Sequence, residues 1–200
     1  MPHSGCQYLL SEGVDIPALA TRTLADPHAH QGRGSKVTTS RPLPRVHIAT
    51  DHAGMELSTH LVKHLSGKGY DVVDHGPKEY DALDDYPSFC INAALAVVAD
   101  QESGVHALGI VLGGSGNGEQ IAANKVKGVR AALAWNHATA TLAREHNDAN
   151  IVAVGGRQHS VEEATVLIEA FLEQTFSNDE RHVRRIGKIV TYETVGEVVG

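Results

Sequence analysis

Cysteine is scarce in this chain: Cys6 and Cys90 are the only two in 200 residues. That excludes a disulfide framework, and the pair has no metal-ligand spacing, so a reduced, cytoplasmic setting is expected. Positive charge is short as well. Lys and Arg number 17 against 24 Asp and Glu, a formal net charge of −7. That balance argues against a general nucleic-acid or membrane-surface binder. The longest apolar run near a candidate helix, Ile91 to Ala99, is interrupted by Asn92 and too short to span a bilayer. No basic region followed by an apolar core opens the chain, so no secretory signal is expected. Histidine, by contrast, is plentiful at 13 residues. His28 and His30, or His60 and His64, could pair by spacing alone. Neither pair comes with cysteines or carboxylates in a ligand pattern, so no metal site is expected.

Residues 1–44 read differently from the rest. Pro2, Pro17, Pro27, Pro42 and Pro44 punctuate them, Gly32-Arg33-Gly34-Ser35 is a flexible stretch, and no periodicity is sustained. A flexible N-terminal extension is expected there, followed by one domain over 45–200. From Arg45 onward, β-prone runs alternate with helical patterns. The expected strands are Arg45 to Thr50, Tyr70 to Asp74, Ala107 to Leu112, Val129 to Ala134 and Asn150 to Val154. Helices are expected between them, then over Val161 to Phe171 and in the Arg-rich segment from about Asn178. Five nearly continuous apolar strands alternating with helices predict an α/β fold. Its expected form is a three-layer α/β/α sandwich around a five-stranded parallel, Rossmann-like sheet, with a C-terminal helix. Ligands bind such sheets beyond the carboxyl ends of the strands. Asp51 and His52 follow the first strand, a glycine loop the third, and Arg157 the fifth. His146 and Asn147 lie just before the fifth strand, so the pattern alone does not assign them to that rim.

The glycine loop is Gly113-Gly114-Ser115-Gly116-Asn117-Gly118-Glu119. Its glycines let the backbone turn sharply and approach a ligand closely, and the following helix start presents free N–H groups. Ser115 and Glu119 add proton-moving side chains. Glu119 is suited to abstract a proton from carbon beside a carbonyl, or else offsets the dipole of the helix it opens. Arg157, Arg181, Arg184 and Arg185 suit phosphate, and Arg181 and Arg185 share a helix face at i,i+4, although a solvated basic face is the alternative. Asp51 reads either as an acid-base group or as a helix cap, and His146-Asn147 as a second pair or a polar helix end. A nucleotide-binding module fits less well. The dinucleotide fingerprint belongs after the first strand, and no Gly-Lys-Ser/Thr ending marks a triphosphate loop.

Asp51-His52-Ala53-Gly54, Asp85-Tyr86-Pro87, the glycine loop running into Ile121-Ala122-Ala123-Asn124-Lys125, Arg144-Glu145-His146-Asn147, Gly155-Gly156-Arg157 and Arg181-His182-Val183-Arg184-Arg185 occur in that order. Together they resemble the type B ribose-5-phosphate isomerases, over about residues 45–195. The resemblance implies a cofactor-free aldose–ketose isomerase of the pentose phosphate pathway, interconverting ribose 5-phosphate and ribulose 5-phosphate through a cis-enediolate. A six-carbon sugar phosphate is the alternative substrate. It also implies a homodimer with active sites at the subunit interface. Asp51 and His146 would assist ring opening, and Ser115 would shuttle a proton between substrate oxygens. Amides of Gly114, Gly116, Asn117 and Gly118 would hold the oxyanion, Asn147 a sugar oxygen, and His52, Arg157, Arg181 and Arg185 the phosphate. Many members carry a cysteine base where this chain has Gly113. The chain instead resembles the actinobacterial-type branch, in which a glutamate at the position of Glu119 is the base.

Overall fold

A computed structural model describes residues 42–200; the extension expected at 1–44 lies, up to residue 41, outside the described residues. The compact unit spans Arg41–Gly200. Its strands are β1 (Arg45–Thr50), β2 (Val72–Asp74), β3 (Ala107–Gly113), β4 (Ala131–Leu133) and β5 (Ile151–Gly155). They form one sheet in the order β2-β1-β3-β5-β4, every pair parallel. The helices are α1 (Met55–Gly67), α2 (Tyr86–Glu102), α3 (Asn117–Ala123), α4 (His137–Asn147), α5 (Val161–Glu173) and α6 (Glu180–Val195).

Side chains alternate along a strand, so each central strand supplies two cores. Val46 and Ile48 of β1, Leu108, Ile110 and Leu112 of β3, and Val152 and Val154 of β5 pack with α1, α4 and α5. Ala49, Val111, Ile151 and Ala153 face the other way, onto Cys90, Ala93, Ala94 and Val97 of α2 and Ala122 and Ala123 of α3. This is the expected three-layer sandwich. No helix among the described residues is long and apolar enough to cross a membrane.

The two edge strands are shorter than their β-prone runs. The Tyr70 N–H donates to Leu65 O at 3.1 Å, so Tyr70 finishes α1 rather than starting β2. At the other edge, the Arg130 N–H is taken by Asn150 Oδ1 at 2.8 Å, and regular pairing begins only at Ala131. Helix α4 ends at Asn147, just short of β5. Its C-cap is Asp148, a non-glycine residue in the left-handed region at φ 43°. Arg144 at 2.7 Å and Arg130 at 3.1 Å both grip the Asp148 carboxylate and hold it there.

Candidate active site

The register puts three loop starts side by side. Thr50 pairs with Leu112, and Gly113 with Gly155, so the residues after β1, β3 and β5 emerge from adjacent strand ends. The Gly156 N–H donates to Gly113 O at 2.8 Å and the Arg157 N–H to Gly114 O at 3.1 Å, tying the third loop to the fifth. Gly116 begins α3 at φ 79°, where an L side chain would be strained, and a Cβ there would also stand 3.1 Å from the Gly155 nitrogen. Tyr86, from the start of α2, closes on Gly118 so tightly that its hydroxyl lies 2.6 Å from where a Cβ would sit.

Glu119 turns back under this loop. Its residue is 4% exposed, and its carboxylate fills the space that a side chain at Gly113 would need. Burial pushes the Glu119 carboxyl above its ordinary range, and the charge of Asp51 adds to the effect. The backbone N–H groups of Glu119 and Gly116 offset part of it. Asp51, also buried, accepts the Ala53 N–H at 2.9 Å and so caps the short helical turn His52–Gly54. The cap and the acid-base readings of Asp51 are therefore compatible, because one oxygen is occupied and the group remains a buried carboxylate. Ser115 Oγ accepts from the Asn117 N–H at 3.4 Å and from Asn117 Nδ2 at 3.2 Å, which leaves its own O–H free to donate.

Asp84 belongs to this rim although no motif or spacing singles it out. It comes from the loop between β2 and α2. Its Oδ1 accepts the His52 N–H at 3.1 Å and lies 2.6 Å from His52 Nδ1. The bond holds the His52 ring with Nε2 directed away from Asp84. Asp51, His52 and Asp84 offer donor atoms within 4.8 Å of one another, a set that could take a cation. The short His52–Asp84 bond makes it first a hydrogen-bonded pair beside a carboxylate. His60 and His64, paired by spacing, do stack with centroids 5.6 Å apart, but His64 is engaged by Glu169 at 2.6 Å. His28 and His30 lie outside the described residues. Cys90 is fully buried in the α2 core, and burial drives its thiol up to about 12, so it is no nucleophile.

The remaining candidates gather elsewhere. His146 and Asn147 end α4, and the Asn147 carbonyl accepts from Arg130 Nε at 3.0 Å beside the start of β4. In a parallel strand the preceding loop lies at the amino end, and β5 at ~3.3 Å per residue puts roughly 16 Å between its two ends. His146 and Asn147 are thus at the amino end of the strands, whereas Glu119 lies at the carboxyl end. Arg181 and Arg185 are exposed on α6 and belong to this second group, since Arg181 Nε–H donates to His182 Nε2 at 3.0 Å and the His182 ring packs on His146. Within one chain the structure brings together Asp51, His52, Ser115, Glu119 and Arg157. It separates them from His146, Asn147, Arg181 and Arg185.

Known proteins resemble this chain over most of its length. The family model described as Ribose/Galactose Isomerase matches residues 46–189. The ribose-5-phosphate isomerase B of Mycobacterium tuberculosis is 53% identical over 153 residues, which is 76% of this chain and 92% of the relative. That of Escherichia coli is 34% identical, over 76% of this chain and 97% of its own. Among solved structures, ribose-5-phosphate isomerase B of Mycoplasma genitalium with bound ribulose-5-phosphate superposes with a TM-score of 0.70 at 40% identity, covering 76% of this chain and 97% of that one. The Trypanosoma cruzi type B enzyme gives 0.70 at 42% identity, covering 78% and 100%. With the fold and the matched span in agreement, the chain belongs to the ribose/galactose isomerase family.

Proposed function

We propose that this protein interconverts D-ribose 5-phosphate and D-ribulose 5-phosphate, as a cytoplasmic homodimer whose active sites are each built from both copies. The observation that carries the reading is the buried carboxylate of Glu119 enclosed by the glycine loop, next to Asp51 and Ser115. A desolvated carboxylate with a raised pKa suits proton abstraction from carbon near neutral pH. Asp51 and His146 open the sugar ring by moving a proton from the anomeric hydroxyl to the ring oxygen. Glu119 then takes the proton from C2, and the electrons pass onto O1 to give the cis-enediolate, held by the loop amides. Ser115 moves a proton from O2 to O1, and Glu119 returns its proton to C1. Asn147 holds a sugar oxygen. His52, Arg157, Arg181 and Arg185 take the phosphate at the far end.

The split between the two groups of residues supports a shared site, because His146 cannot reach the Glu119 of its own chain. Helix α6 supports it too. Its Val183, Ile189, Val190, Tyr192 and Val195 are exposed, more apolar surface than an isolated helix leaves to water without a partner. Alongside it a cleft of about 500 Å³, lined by Leu133, Trp135, Asn147, Ile186 and Ile189 among others, continues the apolar surface.

Two measurements test the proposal. A panel of five- and six-carbon aldose phosphates, run without added metal or nicotinamide, should show turnover of ribose 5-phosphate; activity confined to six-carbon sugars would overturn the substrate assignment. Mixing then tests the shared site. Glu119→Gln and His146→Ala homodimers should each be nearly inactive, whereas subunit exchange between them should restore activity, since one site per mixed dimer is wild type at both positions. No recovery in a verified mixed dimer would sink the shared-site arrangement.

A further inference from the structure

His182 is the one side chain on α6 that is buried, at 3% exposure, in a segment of exposed arginines. Its partners dictate its protonation. A guanidinium only donates, so the Arg181 Nε–H pointing at His182 Nε2, 3.0 Å away, requires that nitrogen to be bare. The proton of the neutral ring must then be on Nδ1, where Ser177 Oγ stands 3.1 Å away to accept it. Ser177 is itself fixed, because its N–H donates to Glu145 O at 3.0 Å on α4 and its Oγ accepts the Asp179 N–H at 3.2 Å. The face of the His182 ring lies against His146, with centroids 4.2 Å apart and planes at 43°. The charged and titratable groups around it are His146 from α4, Asp179 just before α6, and Arg181 and Arg185 on α6. Burial foremost, with His146 and the arginines in support and Asp179 opposing them, lowers the His182 pKa from its ordinary value.

We propose that His182 is a positioning residue for the reaction: as a neutral Nδ1–H tautomer it anchors Arg181 Nε, leaving the terminal nitrogens for the substrate phosphate, and fixes the ring plane of His146. This rests on the isomerase reading above. A protonated or absent His182 would leave Arg181 without its acceptor and free to swing into solvent.

The tautomer can be read on the intact dimer with 15N-labelled histidine. The His182 resonances, identified as those lost in His182→Phe, should show Nδ1 protonated and Nε2 bare; a protonated Nε2 would overturn the proposal. Kinetics test the role. His182→Phe fills the same space without an acceptor and should raise the KM for ribose 5-phosphate about tenfold, the equivalent of ~1.4 kcal/mol. His182→Gln, whose Oε1 can occupy the Nε2 position, should recover much of that loss. A purely structural role would lower Tm and leave KM untouched. If Arg181→Ala raises KM and a folded His182→Phe does not, the inference fails while the isomerase reading stands. Wild-type protein inactive on ribose 5-phosphate would overturn both.

Discussion

Replacing Glu119 with glutamine is expected to lower turnover of ribose 5-phosphate by about 10²–10⁴-fold and, at neutral pH, to make the protein harder to unfold. The two effects have one cause. The Glu119 carboxyl is buried beneath the glycine loop near Asp51, and both features raise its pKa. That makes it a better base near neutrality, and it also means the ionised form is held in the folded state at a cost. In the unfolded chain the same group ionises at the ordinary carboxylate value. Between that value and the raised one, the folded state holds a proton that the unfolded state has released. Stability therefore falls as pH rises through this window. Glutamine never ionises and escapes the loss. The variant should match wild type in Tm below the ordinary carboxylate range, gain on it through the window and stay ahead above it. The acid limb of the wild-type kcat profile should lie above the ordinary carboxylate range for the same reason. Near-wild-type turnover would remove Glu119 from the chemistry, and a Tm difference independent of pH would show that its burial does not act through ionisation.

What could be foreseen of this protein divides along a physical line. The strands and helices were legible because apolar periodicity reports which faces are buried, and five alternations leave few topologies for a parallel sheet. Gly113 to Glu119 was legible as a turn with a carboxylate because glycine density and residue type are local facts. The enclosure of that carboxylate was not, since it depends on the space left at Gly113 by a chain that has turned back on itself. Asp84 is one of several acidic residues between β2 and α2; only tertiary packing brings it to His52. His182 was hidden by its neighbours, as Arg181, Arg184 and Arg185 make the segment read as a solvated basic face while one ring turns inward. For His146 and Asn147 the order of elements held a usable signal. Residues that precede a parallel strand lie at its amino end, so their separation from the glycine loop follows from topology.

Gly113→Cys should be almost as damaging as loss of Glu119, for a different reason. The resemblance to the type B isomerases implies a cysteine at this position in many members, so the substitution looks like a return to a working alternative. Here the space is occupied. A Cβ at 113 would collide with the Glu119 carboxylate, whose more distant oxygen is only 2.9 Å from it and whose nearer atoms overlap it outright. The neighbours cannot yield readily: Gly113 sits at the end of β3, paired with Gly155, and its carbonyl accepts the Gly156 N–H. The carboxylate must therefore swing out of the site, which removes the base, and the overpacked loop should cost about 1–3 kcal/mol of stability. The two positions are then coupled rather than independent. Shortening residue 119 in the same molecule, as Gly113→Cys with Glu119→Ala, empties the space that the thiol needs. The double variant should be more stable than the two single effects predict by ~1 kcal/mol or more, as contacting residues allow. Denaturant unfolding of all four proteins measures that coupling, and strict additivity would mean that Glu119 does not occupy the Gly113 space in solution. On this account the thiol and the carboxylate are alternative occupants of one small volume beneath the glycine loop. A chain that places Glu119 there must keep glycine at 113.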